Sequence, residues 1–164
     1  MDLRVASYGA AGGVFLLDRF TKWLIETRVA LFETNTVIPG FFSIVHTKNR
    51  GAAFGFLNES TAPWRGALLI GLSGAVLILV ARMLWRPGRL DRWTRMGLTS
   101  ILGGALGNLV DRARSGQVTD FLDFYIGGWH WPAFNVADSA IVVGAGLLIL
   151  SLVRPQPARE AAQL

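Results

Sequence analysis

The sequence predicts an integral membrane protein that is mainly α-helical, with four transmembrane helices and a small β-rich segment on the outer face. Two observations predict this class. Only 16% of the 164 residues are charged and the mean hydropathy is +0.42, whereas soluble domains carry about 25% charged residues. Several apolar stretches also approach the roughly 20 residues that a bilayer requires. A net charge of +5 would otherwise favour a nucleic-acid partner, and this hydropathy argues against one.

The four spans are expected at residues 5–26, 64–85, 94–112 and 136–154 of a single domain covering 1–164. The first is the least apolar, because its run Val5–Leu17 is followed at once by Asp18 and Arg19. A secretory signal peptide is the alternative for this run. We expect a retained helix, because no small-residue cleavage site follows the apolar run.

The distribution of basic residues predicts the orientation. Eight lie in the termini and in the loop between the second and third spans: Arg4, Arg82, Arg86, Arg89, Arg92, Arg95, Arg154 and Arg159. Three acids share those segments: Asp2, Asp91 and Glu160. Because short cytoplasmic loops retain Lys and Arg, both termini and this loop are expected in the cytoplasm. The orientation in the membrane and contact with anionic membrane lipids then account for the whole net positive charge of the chain.

The two longer connections are therefore expected outside. Residues 28–62 are β-rich, because 36–47 (TVIPGFFSIVHT) combine β-branched and aromatic residues around a Pro39-Gly40 turn. The second connection holds six aromatic side chains between Phe121 and Phe134, a density typical of an interfacial aromatic belt. It is expected to be an aromatic-rich interfacial loop, with Asp123 pointing to water.

Several polar side chains at the outer ends of the spans need an explanation. Asp18 and Lys22 are four residues apart on one helical face, so they form either a local ion pair or a polar anchor for a site. Asn108 shares a face with Asp111 and Arg112, and an amide inside a helix bundle must find partners.

Two carboxylates stand out as candidate catalytic groups. Asp120 lies between apolar neighbours, and Asp138 follows Asn135 in an arrangement that also suits a helix capping box. Two carboxylates that share a partly dry site cannot easily both ionise, so one keeps its proton and the pair offers an acid and a base. His46 and His130 are not spaced as metal ligands, so neither a metal nor a cofactor is expected.

Five motifs in order resemble the bacterial lipoprotein signal peptidases (signal peptidase II). They are Asp18-x-x-x-Lys22, 49–55 (NRGAAFG), 103–112 (GGALGNLVDR), 118–121 (VTDF) and 134–138 (FNVAD). One departure is Arg19, which stands where the family pattern has Gln.

The resemblance implies an aspartic endopeptidase of the bacterial inner membrane. Such enzymes cleave diacylglyceryl-modified prolipoproteins before the lipidated Cys, at the outer, periplasmic face. It implies a catalytic pair of Asp120 and Asp138, with substrate-binding and supporting residues at these positions: Asn49, Asn108, Arg112, Asn135, Asp18, Lys22 and Asp111. The β-rich segment would be the family's outer-face β-cradle. We expect a monomer whose partners are prolipoproteins and membrane lipids.

Two other functions remain as alternatives. A small membrane transporter with a proton-relay carboxylate pair would place acids near the middle of the bilayer. A non-enzymatic assembly module would use the glycine-rich helix face and the aromatic loop to bind another membrane protein, and it would leave Asp120 without a role.

Overall fold

Four helices and a small antiparallel sheet make up the computed structural model, which describes residues 2–51, 64–86, 88 and 90–154. The helices are α1 (Leu3–Arg28), α2 (Trp64–Leu84), α3 (Arg92–Ser115) and α4 (Val136–Val153). Part of the β-rich segment and of the second motif, residues 52–62, lies outside the described residues, as do Arg89 and Arg159.

Helix α3 is the central helix of the bundle, and its ends are defined locally. The Asp91 side chain accepts hydrogen bonds from the first backbone amides of α3, and Gly116 ends the helix in the left-handed conformation at φ +71°. The helix packs against α1, α2 and α4. It approaches α4 closely at glycines, because a Cβ on Gly97 would stand 2.7 Å from the Gly144 carbonyl oxygen.

The sheet has the strand order β1-β2-β3-β4, with β1 at Thr34–Ile38, β2 at Phe42–Asn49, β3 at Val118–Ile126 and β4 at Trp129–His130. All neighbours are antiparallel. The predicted strands around the Pro39-Gly40 turn are confirmed as β1 and β2.

The second connection differs from the expectation, because much of it is strand rather than loop. Its aromatic residues fall on both faces of β3, which hides the two-residue alternation that identifies a half-buried strand. The pairing of β3 with β2 supplies the backbone hydrogen bonds that local sequence does not reveal. Trp129 and Trp131 are nevertheless exposed, in keeping with an interfacial position.

Among the described residues, two helical segments are long and apolar enough to cross a membrane, Gly66–Leu84 and Val136–Val153. Helices also lie where the other two spans are expected, but α1 carries Asp18, Arg19 and Lys22 in its C-terminal half, and the mean hydropathy of α3 is lowered by charges at both ends. Four membrane crossings remain a prediction.

Candidate active site

Asp120 lies in the middle of β3, where two amides bind its carboxylate. Asn135 Nδ2 donates to Asp120 Oδ1 at 2.7 Å, and Asn49 Nδ2 donates to Asp120 Oδ2 at 3.0 Å. Asn49 is held in turn by Gly51, whose backbone amide donates to Asn49 Oδ1 at 2.7 Å. The antiparallel register of β2 and β3 sets Thr47 opposite Asp120, which brings Asn49, two residues further along β2, close to the carboxylate. Asp120 is only 2% exposed.

Asp138 occupies the first turn of α4, where Asn135 is the N-cap. The Asp138 backbone amide donates to Asn135 Oδ1 at 3.0 Å, and the Asn135 backbone amide donates to Asp138 Oδ2 at 3.3 Å. The predicted capping box is therefore present. The same Asn135 side chain also binds Asp120. Asn135 therefore caps α4 and holds Asp120 beside Asp138 at the same time.

Asn108 connects this carboxylate pair to a buried cation. Its Nδ2 donates to Asp138 Oδ1 at 2.7 Å, while its Oδ1 accepts from Lys22 Nζ at 2.9 Å. A cation on one side and a carboxylate on the other determine the orientation of the amide. Asn108 is 5% exposed, so the requirement for partners inside the bundle is met.

Lys22 is fully buried between two carboxylates. Its Nζ lies 2.9 Å from Asp18 Oδ2 and 2.7 Å from Asp111 Oδ2. Arg19 forms a second ion pair with Asp111, so two acids are balanced by two bases. This balance matters because an unpaired charge in such a place carries a large desolvation cost.

Asp18 also reaches the first turn of α4. Its Oδ1 accepts from the Ala137 backbone amide at 2.9 Å, next to Asp138 in the chain. The contact requires Gly107, where an added Cβ would collide with Asp18 Oδ2. The pair Asp18–Lys22 is therefore both the predicted ion pair and an anchor for α4.

The pKa of Asp120 is raised from its ordinary value to about 6, mainly by burial and also by the negative charge of Asp138. The hydrogen bonds from Asn49 and Asn135 oppose this rise. A carboxyl group with such a pKa takes up a proton near neutral pH, which suits acid–base chemistry.

A cavity of about 630 Å³ opens onto Asp120, with Asn49 also in its wall. Its other lining residues are Leu31, Phe32, Thr47, Lys48, Arg50, Gln117, Pro132 and Ala133. The lining therefore combines polar and charged side chains with apolar ones. Within the described ranges, no group of three or more His, Asp or Glu residues is arranged to hold a metal ion.

One predicted site residue is not joined to the network. Arg112 is half-buried, and its Nε has no hydrogen-bond partner among the described residues. Its expected role towards substrate stays a prediction.

The expectation for Asp123 was wrong. Asp123 is 7% exposed and binds His130 Nδ1 through both oxygens, at 2.9 and 3.0 Å. Asp123 lies on β3 opposite Ser43 of β2, a pairing that local sequence did not reveal. His46 is buried and its Nδ1 donates to the Val29 carbonyl at 2.8 Å.

A second polar cluster beside the site was not predicted. Glu26 Oε1 accepts from Lys48 Nζ and from Thr119 Oγ1, each at 2.6 Å. This cluster ties the end of α1 to the two strands that carry Asn49 and Asp120. The only available signal was position, since Lys48 and Thr119 directly precede those two residues in the sequence.

Comparisons with known proteins show the family to which the chain belongs. The family model described as Signal peptidase (SPase) II matches residues 10–154. A lipoprotein signal peptidase of Solibacter usitatus is 58% identical over 99% of this chain and 98% of its own length. Another, from Nitratidesulfovibrio vulgaris, is 47% identical over 92% of each chain.

Solved structures agree as well. A structure described as a bacterial membrane enzyme superimposes with a TM-score of 0.81 at 28% identity, covering 97% of this chain and 94% of that one. A second with the same description gives a TM-score of 0.79 at 30% identity, covering 92% and 94%.

The fold and the family match define the class as a peptidase, an enzyme that hydrolyses peptide bonds. Within that class, the chain belongs to the signal peptidase II family, the lipoprotein signal peptidases. The resemblance seen in the five sequence motifs is thus confirmed.

Proposed function

We propose that the protein removes signal peptides from diacylglyceryl-modified prolipoproteins by cleaving before the lipidated Cys, with Asp120 and Asp138 as an aspartic catalytic pair. The observation that carries the proposal is that one residue, Asn135, binds both carboxylates. Its side chain donates to Asp120 and accepts from the Asp138 amide, and its own amide donates to Asp138. Membership of the lipoprotein signal peptidase family supports the substrate class.

The environment of Asp120 suggests a role for each carboxyl group. The pKa of Asp120 is raised to about 6 by burial and by the charge of Asp138, which suits this group to carry the proton that the departing amine receives. In the proposed reaction Asp138 takes a proton from a water molecule, and the water oxygen bonds to the carbonyl carbon before the lipidated Cys. The tetrahedral intermediate then collapses as the C–N bond breaks, and the Asp120 proton goes to the departing amine.

The surrounding groups would keep this geometry during the reaction. Asn49 and Asn108 each donate a hydrogen bond to one carboxylate. Lys22 supplies a fixed positive charge behind Asn108. Preorganised dipoles of this kind reduce the rearrangement that charge development requires. Arg112 is proposed as a further contact for substrate carbonyl groups.

A location in the bacterial inner membrane is part of the proposal, with four crossings, cytoplasmic termini and the site at the outer face. Large apolar side chains are exposed along α2 and α4: Leu68, Leu72, Ile78, Leu79, Val142, Val143, Ile149 and Leu152. Such a continuous apolar surface fits lipid rather than water. A site at the outer interface would let the acyl chains of a lipidated substrate stay in the bilayer while its peptide reaches water.

The test is to replace Asp120 and Asp138 separately by Asn and to follow the conversion of a diacylglyceryl prolipoprotein precursor by the purified protein. Each variant should lose at least about 10³-fold in rate, because neither proton transfer can be supplied by an amide. Processing by either variant at the wild-type rate would contradict the catalytic pair.

The matched control is Asp123→Asn. Asp123 is also a buried acid on β3, but it binds His130 rather than the pair. This variant should process the precursor at close to the wild-type rate. Equal losses in all three variants would indicate damage to β3 rather than loss of catalytic groups.

A further inference from the structure

The loop of residues 29–33, between α1 and β1, contains an exposed aromatic side chain in an unusual backbone conformation. Phe32 is 76% exposed and has φ +66°, the only positive φ at a non-glycine position among the described residues. A bulky residue rarely adopts this left-handed region, because its Cβ crowds the backbone. A glycine would remove both the strain and the exposed apolar surface, so the Phe side chain requires an explanation.

The strain persists because His46 on β2 holds the loop from both sides. The Phe32 amide donates to the His46 carbonyl at 2.8 Å, and the His46 amide donates to the Glu33 carbonyl at 3.2 Å. His46 Nδ1 donates to the Val29 carbonyl at 2.8 Å, and the Glu33 carboxylate accepts from the Ala30 amide at 2.8 Å. These hydrogen bonds fix the conformation of the loop and hold Phe32 in one position. Backbone strain that is kept in this way is characteristic of functional sites.

Phe32 thereby lines the same cavity as Asp120. Leu31 and Phe32 are apolar lining residues contributed by this loop, and Pro132 and Ala133 are the other apolar ones. A peptide whose backbone reaches Asp120 would bring its neighbouring side chains within reach of these apolar residues.

We propose that Phe32 is a specificity-determining residue whose ring contacts a large apolar side chain of the substrate peptide on the signal-peptide side of the cleaved bond. This proposal rests on the proposed function. A peptide side chain is favoured over an acyl chain because the loop lies beyond the last residue of α1, Arg28, and is joined to the sheet. The ring is therefore on the outer side of the helix end, whereas acyl chains would remain in the bilayer beside the helices.

The experiment measures kcat/KM for the full-length protein in lipid nanodiscs with diacylglyceryl prolipoproteins. In this substrate series the three positions before the lipidated Cys are varied one at a time, and the varied position carries either Leu or Ala. Phe32→Ala should lower kcat/KM by about tenfold for Leu at the contacted position and leave the Ala substrate unchanged, since one buried apolar contact is worth about that factor. Val37→Ala, an exposed apolar position on β1 that does not line the cavity, should leave both unchanged.

A second variant separates this role from a structural one. Phe32→Gly relieves the backbone strain, so it should keep or raise the melting temperature while showing the same selective loss as Phe32→Ala. Selective loss with undiminished stability supports the proposal.

Other results overturn it. These are equal losses on Leu and Ala substrates at every position, no loss on any substrate, or a loss that follows acyl-chain length instead of the side chain. If the wild-type protein cleaves none of the substrates, the proposed function itself fails. If it cleaves them all and Phe32→Ala does not discriminate between them, only the role of Phe32 fails.

Discussion

The carboxyl group of Asp120 illustrates how burial at one residue links its proton affinity to stability. Its pKa is raised from 3.8 to about 6 in the folded protein, so the folded state keeps this proton at pH values where the unfolded chain has released it. The resulting stabilisation is fully present below pH 3.8 and is lost as the pH rises through about 6. Ionising Asp120 at neutral pH therefore costs on the order of 3 kcal/mol of folding free energy.

At the same scale, replacing Asp138 should change the titration of Asp120. Asp138→Asn removes the negative charge that opposes ionisation, so the pKa of Asp120 should fall below about 6 while staying above its ordinary value because of burial. The measurement is the carboxyl ¹³C chemical shift of Asp120 followed against pH in the wild-type and variant proteins.

Asp91 is the internal reference for that titration. Hydrogen bonds, of which the one from Thr94 is the strongest, hold the pKa of Asp91 at about 2. Asp91 lies at the start of α3, whereas Asp111, which is near the site, lies towards the other end of that helix. Its titration should be the same in both proteins. An unchanged Asp120 pKa in the Asp138→Asn variant would show that the two carboxyl groups do not share an electrostatic environment.

At the scale of elements, α3 positions the site through close helix packing. Gly104 lies against the first turn of α4, and Gly107 lies against Asp18 on α1. Small residues at these points allow the helix backbones to approach closely. The glycines thus determine how far Asn108 stands from Asp138 and from Lys22, even though they contribute no polar group.

Gly104→Ala should therefore reduce both stability and activity. The added Cβ would collide with the Ala137 carbonyl oxygen, so α4 must move together with Asp138. Overpacking of this kind costs about 1–3 kcal/mol, which thermal unfolding in detergent would detect alongside precursor cleavage.

Gly12→Ala on α1 is the matched control, because no other element among the described residues has an atom within 4 Å of the position that its Cβ would occupy. It should be neutral or slightly stabilising, since Ala is favoured over Gly inside helices by about 0.5–1 kcal/mol. Equal melting temperatures for the two variants would contradict tight packing of α3 on α4.

At the scale of the whole molecule, charge distribution predicts the orientation in the membrane. The chain has no Cys, so single cysteines can be introduced without a background. Val37→Cys on β1 and Gly88→Cys in the loop after α2 both fall at exposed positions, and neither removes a basic residue.

A membrane-impermeant maleimide should label Val37→Cys in intact spheroplasts and label Gly88→Cys only after lysis. Basic residues around position 88 are expected to hold that loop in the cytoplasm. The reverse labelling pattern would place the site on the cytoplasmic face, and labelling of both positions before lysis would contradict an odd number of crossings between them.

Composition and spacing within a few residues were enough to predict the helices, the turn of the first hairpin and the capping box at Asn135, and to single out Asp120 and Asp138 as candidates. What these groups contact depends on the tertiary structure. Asn49 and Asn135 reach Asp120 only through the pairing of β2 with β3 and the docking of α4. Arg19 balances Asp111 only because α1 packs on α3. Such contacts join residues far apart in the chain, and short-range patterns carry no information about them.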